Sequence, residues 1–345
     1  MNNQSIKVEK CIKYLGVWLD FRLSWDIHIK YIAKRTSLIF HAFSQIARKG
    51  WGLNSEGLSV IYDHIYVPII TYGCLCWGDA AQKVHLHRKL ISSQRKALLL
   101  ITRAYRTAPN SSLQVISRKP FITEIIRMER SIWSLKNGND ISTPSCNIQA
   151  CNYEYLSPYT QAIPPHINNL IGNSPPLNPD LVIYTDGSGH NNSIGCAFVA
   201  YCNNMEIYSQ QNRLHNTCTA FQSEILAINM AINWIEQRYT ENSIHIITDS
   251  SSAIELICGT KLHPIATSIR HLILHSSNSY HITWTRGHQN TEGNKRADQL
   301  AKAAAVDDSL TIIYNKISHD RVRKIMYKDV LSRWQSSWSQ RHNEP

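Results

Sequence analysis

The sequence contains no apolar run long enough to span a bilayer; the longest, Tyr66 to Trp77, falls well short. Its N-terminus, MNNQSIKVEK, has no apolar h-region, so no signal peptide is expected. Nine cysteines lie scattered from Cys11 to Cys258 without one CxxC pair, and Cys74 and Cys76 come closest. That odd number without ligand spacing reads as small buried residues in a reducing compartment, not as a disulfide framework or zinc site. A nuclear or cytoplasmic protein is the resulting expectation. Acid is also scarce. The chain holds 25 Asp and Glu against 36 Lys and Arg, a net +11 with a pI near 9.2. Such an excess fits a polyanionic partner, either nucleic acid or an anionic membrane.

At 345 residues the chain is long for one core, so two domains are expected. The charge divides the same way. Residues 1–150 carry 21 basic against 9 acidic side chains, residues 151–310 carry 8 against 13, and residues 311–345 carry 7 against 3. Gripping and chemistry therefore belong to different regions.

Ile12 to Asp20 alternates well enough for one strand, after which the pattern turns helical. His28 to Lys49 places Ile29, Ile32, Ile39, Phe43 and Ile46 near helical spacing. Further helices are predicted from Ser55 to Cys74, Ala80 to Tyr105 and Phe121 to Lys136. Residues 138–178 change character: SPYTQAIPPH and GNSPPLNPD are rich in Asn, Ser and Pro and read as a linker. From Leu181 the expected order is three strands (LVIYTD, IGCAFVAYC, EIYSQQ), a helix over Thr219 to Arg238, the strand SIHIITD, and a helix capped by Ser252 and Glu255. The strand HITWTRG and a helix from Glu292 to Ala305 complete it. This is an α/β pattern: a mixed five-stranded sheet flanked by helices. Residues 307–345 read as a basic helical tail.

Four acids stand at element ends. Asp186 closes the first strand and Asp249 the fourth; Glu224 sits in the first helix and Asp298 early in the last. Any one strand-end aspartate is ordinarily a turn or cap residue. Four facing one side of a sheet would repel one another unless a cation intervened, and a hard divalent ion with oxygen ligands does so. Two such ions about 3.5–4 Å apart activate water on one side of a phosphodiester and stabilise the leaving oxygen on the other.

YTDGS, QSEILAI, ITDSSSA and WTRGHQNTEGNKRADQLAKAA resemble, in order and spacing, the motifs of type 1 ribonuclease H domains, over about Leu181 to Ala305. The resemblance implies a ribonuclease H-like fold over residues 179–306 and a metal-dependent endonuclease that hydrolyses the RNA strand of RNA–DNA hybrids. It implies Asp186, Glu224, Asp249 and Asp298 as ligands of two Mg2+ ions, with Mn2+ able to substitute. It also makes His288 a loop histidine assisting proton transfer or product release, and places Gly187, Ser188 and Asn294 at the substrate. The partner is then nucleic acid, with no membrane. Two departures stand out: Lys295 where the family often has Glu, and Ala220 and Phe221 where cellular members carry polar minor-groove contacts. Fewer such contacts mean a weaker reading of 2′-hydroxyls.

KYLGVWLD, VPIITYGCLCWG and SQRKALLLITRAYRTAPNSSLQVI resemble the region after the polymerase palm in non-LTR retrotransposon reverse transcriptases. Residues 1–137 are then a thumb-like helical region. No aromatic-x-Asp-Asp box precedes Tyr14, and Val306-Asp307-Asp308 follows a helix, so no polymerase activity is expected. Lys83, Arg88, Lys89, Arg95, Lys96, Arg103 and Arg106 recur along one predicted helix, either on phosphates or as a solvated face. The rival functional reading is a domesticated nucleic-acid-binding protein whose chemistry no longer matters.

Overall fold

The computed structural model describes residues 9–47, 52–144, 146–156, 176–190, 193–286 and 292–342. Two compact units emerge, residues 1–150 with 323–345 and residues 151–322.

The first unit opens with a hairpin where one strand was expected. Strand β1 (Cys11–Tyr14) folds back on β2 (Val17–Asp20), pairing Tyr14 with Val17. Leu15 and Gly16 make the turn at positive φ, a conformation that glycine adopts without steric cost. The Asp20 carboxylate then accepts from the backbone N–H groups of Ser24 and Trp25, both at 3.0 Å, and sets the entry to helix α1 (Asp26–Ile46).

The predicted helix from Ser55 to Cys74 is broken. Helix α2 (Ser55–Ile61), capped by Asn54, passes through a π-helical turn (Tyr62–Tyr66) into α3 (Val67–Thr71), then α4 (Cys74–Trp77). Gly73 at φ +64 marks the break. Leu58, Tyr66, Ile70 and Trp77 from these pieces are fully buried. No single helix among the described residues is long and apolar enough to cross a membrane; the apolar pair Ser55–Thr71 and Cys74–Gln82 is bent by 57°.

Helices α5 (Val84–Thr102), α6 (Asn110–Ser117) and α7 (Ile122–Lys136) complete the body. Buried Gln94 ties them together: its Nε2 donates to Tyr62 Oη at 2.8 Å and to the Pro120 carbonyl at 2.7 Å, and its Oε1 accepts from Ile122 N. An unpaired amide there would cost more than the bonds contribute, so the arrangement is specific.

The expected linker holds structure. Strands β3 (Ile141–Thr143) and β4 (Cys146–Ile148) form a small hairpin, and Tyr153 bridges in parallel to Ile317. Asn-, Ser- and Pro-rich composition weakens a core but does not forbid pairing with a partner elsewhere. Residues 157–175 lie outside the described residues.

The second unit is a six-stranded mixed sheet in the order β10-β7-β6-β5-β8-β9. Strands β5 (Leu181–His190), β6 (Ser193–Cys202) and β7 (Met205–Leu214) run antiparallel in sequence, while β8 (Ser243–Thr248) and β9 (Ser279–Trp284) join parallel. The five expected strands are present. The sixth, β10 (Ile312–Tyr314), adds itself parallel to β7 from beyond the expected domain end.

Helix α8 (Ala220–Glu236) packs on β5 and β6, and α11 (Glu292–Val306) on β5, β6 and β7. Phe198, Ile225, Ile228, Ile232 and Ile244 are wholly buried between sheet and helices. Helix α9 (Ser251–Cys258) is capped by Ser250, not by Ser252, and a helix missing from the expected order, α10 (Pro264–His275), follows it.

Nor is the C-terminal segment a simple solvated tail. Helix α12 (His319–His342) has Val322, Met326 and Val330 buried. Within the first unit Arg323 pairs with Glu129 at 2.7 Å and Arg333 with Glu124 at 2.8 Å. Trp334 and Trp338 are half-buried. Asp307 and Asp308, the only paired aspartates in the sequence, are a turn and an ion pair: Asp307 accepts from Ser309, and Asp308 meets Arg213 at 2.5 Å. All nine cysteines are free thiols.

His28 yields a testable consequence. It is buried beside Trp77, ring centroids 5.5 Å apart, and accepts from Trp18 N at 3.4 Å. Burial pushes its pKa down to about 4 from the ordinary 6.5. Between those values the unfolded chain takes up a proton that the folded chain refuses, so stability present above pH 6.5 is lost as pH falls towards 4. The loss amounts to about 3 kcal/mol at most. His28→Gln should flatten that limb of the stability curve in denaturant unfolding; superimposable curves would exclude this histidine as its cause.

Candidate active site

The carboxylates are brought together by register and by two glycines. Strands β5 and β8 are parallel, with Thr185 opposite Thr248, so the next residue on each, Asp186 and Asp249, emerges at the same level of the sheet. Asp186 is only 8% exposed, so its charge lies out of water's reach.

Gly187, immediately after it, faces the first turn of α8. A Cβ there would stand 2.4 Å from the Glu224 backbone nitrogen and 2.6 Å from Ser223 Oγ. Glycine therefore lets the strand touch the helix at the backbone of Glu224. Gly293 does the same for α11, where a Cβ would meet the Tyr184 ring at 2.3 Å. That contact lays the helix carrying Asp298 across β5.

The electrostatics record the convergence. Burial, then the neighbouring charges of Asp249 and Asp298, push the Asp186 carboxyl up to about 8, and a hydrogen bond with Asp298 adds to the shift. Burial also raises Glu224, with Asp249 as a further negative neighbour, against a lowering hydrogen bond from Ser250.

Two of the acids, and the backbone of a third, also have a protein partner. Ser250 Oγ donates to Glu224 Oε2 and accepts from Ala253 N at 3.2 Å, so one hydroxyl caps α9 and orients the glutamate. Lys302, one turn along α11, meets Asp298 at 2.7 Å. The exposed indole of Trp284 donates to the Asp249 carbonyl at 3.0 Å and fixes the end of β8. None of these three is marked out by sequence pattern alone, although Ser250 lies inside the motif ITDSSSA and Trp284 and Lys302 lie inside WTRGHQNTEGNKRADQLAKAA.

Ser188 is half-buried beside the cluster. Asn294 is 8% exposed, and its Oδ1 has no hydrogen-bond partner among the described residues. Ala220 is exposed at the start of α8, whereas Phe221 turns towards the core and packs edge-on to His263. His288 lies outside the described residues.

The donor set is all oxygen and its members repel one another, which suits a hard divalent cation. Among the described residues, no three His, Cys, Asp or Glu side chains are gathered tightly enough to form a ready-made cage. Asp186 senses the charges of Asp249 and Asp298, but the described carboxylates do not close on a common point.

Residues 178–306 match the RNase H family model. Residues 178–306 are a ribonuclease H domain.

Curated relatives are Pol polyproteins of retrotransposable elements. The chain is 29% identical over 140 residues to the retrovirus-related Pol polyprotein from type-1 retrotransposable element R1 4 of Nasonia vitripennis. It is 28% identical over 131 residues to the putative 115 kDa protein in type-1 retrotransposable element R1DM of Drosophila melanogaster. The matches take in 41% and 38% of this chain but span only 35% and 13% of those relatives. Among solved structures, RNase H1 from the archaeon Halobacterium salinarum NRC-1 is similar at 19% identity with a TM-score of 0.31, covering 36% of this chain and 96% of that one.

The close approach of β5 to α8 in the ribonuclease H domain can be measured directly. Gly187→Ala forces backbone apart from backbone, since the obstructing atoms include the Glu224 nitrogen, and should cost about 1–3 kcal/mol of stability. An unchanged unfolding midpoint would mean that strand and helix can separate freely.

Proposed function

We propose that this chain hydrolyses the RNA strand of RNA–DNA hybrids, using divalent metal held by Asp186, Glu224, Asp249 and Asp298 in its ribonuclease H domain. The observation that carries this reading is the buried Asp186 of β5 facing the charges of Asp249 and Asp298, with Glu224 of α8 near Asp249, in a domain of that family. Magnesium is the fitting ion where phosphate is the substrate, and manganese can substitute. When bound, a pair of such ions supplies an activated water and countercharge for the leaving oxygen.

The chain's own groups do the positioning. Ser250 holds Glu224 in one orientation, and Lys302 keeps Asp298 aligned along α11. Gly187 and Gly293 set the spacing. Ser188, within β5 two residues beyond Asp186, is the proposed contact to the substrate backbone, and Asn294 offers a buried carbonyl oxygen seeking a donor. With Ala220 and Phe221 in place of polar residues, fewer groups are left to read the 2′-hydroxyl, so discrimination between hybrid and other duplexes should be modest.

Asp186→Asn or Asp249→Asn should abolish Mg2+-dependent cleavage of labelled hybrid while the chain stays folded. In chelator, Asp186→Asn should also raise the unfolding free energy by about 1 kcal/mol or more, because the amide escapes the repulsion. Near-normal turnover would remove the residue from the site; binding without cleavage by the unmodified chain would favour the domesticated binding protein instead.

His288, proposed as a proton-transfer or product-release aid, should tolerate His288→Ala with a roughly 10–100-fold slower turnover. Metal affinity by calorimetry should hardly change. Its collapse would make the histidine a ligand.

A further inference from the structure

A groove of about 1170 Å³ opens along α1 and α5 in the first unit. Six cationic side chains line it: Lys30, Lys34, Arg88, Lys89, Lys96 and Arg106; no Asp or Glu does. Lys30 and Lys89 are both held by Asp26 at its edge. Among the described residues, Lys34, Arg88, Lys96 and Arg106 form no ion pair.

Other cations of this unit have acidic partners. Lys119 meets Asp63 at 2.5 Å, Arg130 chelates Asp79, and Arg323 and Arg333 find Glu129 and Glu124. Cations gathered along one groove with no acid in its lining carry a cost in self-repulsion that an anionic occupant would relieve.

The expected row of basic residues on α5 therefore resolves into two groups. Arg95 is structural: its guanidinium donates to the Ala108 carbonyl and Asn110 Oδ1, both at 2.7 Å, and anchors the loop before α6. Arg103 likewise reaches the Leu53 carbonyl at 3.2 Å. Arg88 and Lys96 face the groove.

We propose that this groove binds the sugar–phosphate backbone of a nucleic acid without reading its sequence. Arg88 and Lys96 lie eight residues apart on one helix, about 12 Å, which is the span of a few successive phosphates. Hydroxyls of Ser37, Ser44 and Ser92 stand among the cations as neutral donors to phosphate oxygens. No tryptophan or tyrosine lines the groove, Phe40 is buried, and a single imidazole, His41, is the other ring, so it lacks the row of stacking rings that would grip unpaired bases. The inference does not rest on the nuclease reading.

The test uses the full chain carrying Asp186→Asn to prevent cleavage, with and without Lys34→Gln, Arg88→Gln, Lys96→Gln and Arg106→Gln together. Anisotropy of a fluorescein-labelled RNA–DNA hybrid and of a labelled DNA duplex is followed from about 50 to 200 mM salt. The four changes should weaken both probes, regardless of sequence, and lower the salt slope by about 0.9 for each phosphate no longer neutralised. Lys34→Gln and Arg88→Gln alone should each remove a part, which guards against misfolding of the combined variant. Lys119→Gln with Arg323→Gln, in ion pairs, should change the slope far less.

Unchanged affinity and slope would overturn the proposal. So would tighter binding of labelled polyglutamate than of either duplex, which would point to an acidic protein. In the chain with intact Asp186, the groove changes should raise KM and leave kcat alone. If that chain cleaves nothing, the nuclease reading fails while the anisotropy still decides the groove.

Discussion

Carboxyl groups held where ionisation is resisted are the constraint on which the ribonuclease H domain is built. Asp186 stands at the middle of the sheet, largely screened from water, with Asp249 and Asp298 close enough to resist its ionisation. Unpaired buried charge of this kind weakens a fold unless something offsets it. The offset lies nearby. Ile183, Phe198, Ile225 and Ile246 are fully buried around the site, and side chains of this kind each contribute about 1.5–3 kcal/mol when removed from water. A continuous apolar body on both helices and sheet can hold carboxylates at a spacing they would not choose. Such sites commonly trade stability for activity.

Much of that arrangement was legible in the sequence because it is local. The stripe of Phe221, Ile225, Ile228, Ile232 and Ile235 specifies α8 by its period, and Asp249 stands just past the end of β8 as expected, whereas Asp186 lies within β5, which runs on to His190. What escaped depended on contacts far along the chain. Nothing in the three residues Ile312–Tyr314 marks a strand until β7 is present to pair with them. Helix α10 begins at Pro264, a favoured first position, but follows α9 so closely that its start is hidden. Gly16 splits one apparent strand into two because its φ of +85 reverses the chain.

The basic residues show the same limit most clearly. Charge is readable from composition, but whether a cation is available is decided by its neighbours. Arg95 and Arg88 look equivalent on a helical projection of α5. One is committed to backbone carbonyls of the following loop, and the other has no ion pair among the described residues. A hydrogen-bonded guanidinium serves the fold, and an uncommitted one remains available to a ligand.

The ribonuclease H match ends at residue 306, but the physical unit does not. Glu154 and Tyr314 lie outside the matched residues on opposite sides. The tyrosine hydroxyl donates to the buried carboxylate at 2.5 Å, and His263 Nε2 stands 3.5 Å from it. Burial pushes Glu154 up, but these contacts outweigh it and hold the carboxyl below its usual range. The same segments reach the first turn of α8. Gln222, whose side chain completes the capping box with Thr219, donates to the Lys316 carbonyl at 3.1 Å, and Cys218 approaches the carbonyls of Tyr314 and Lys316. Glu224 is two residues further on. The helix end that presents a catalytic candidate is thus braced by chain on either side of the family's boundary. Removing that chain would strip the cap of its neighbours and leave Tyr314's partners behind. The working boundary of this nuclease unit is therefore set by the clasp around α8, from Cys151 to Val322, rather than by the extent of the family match.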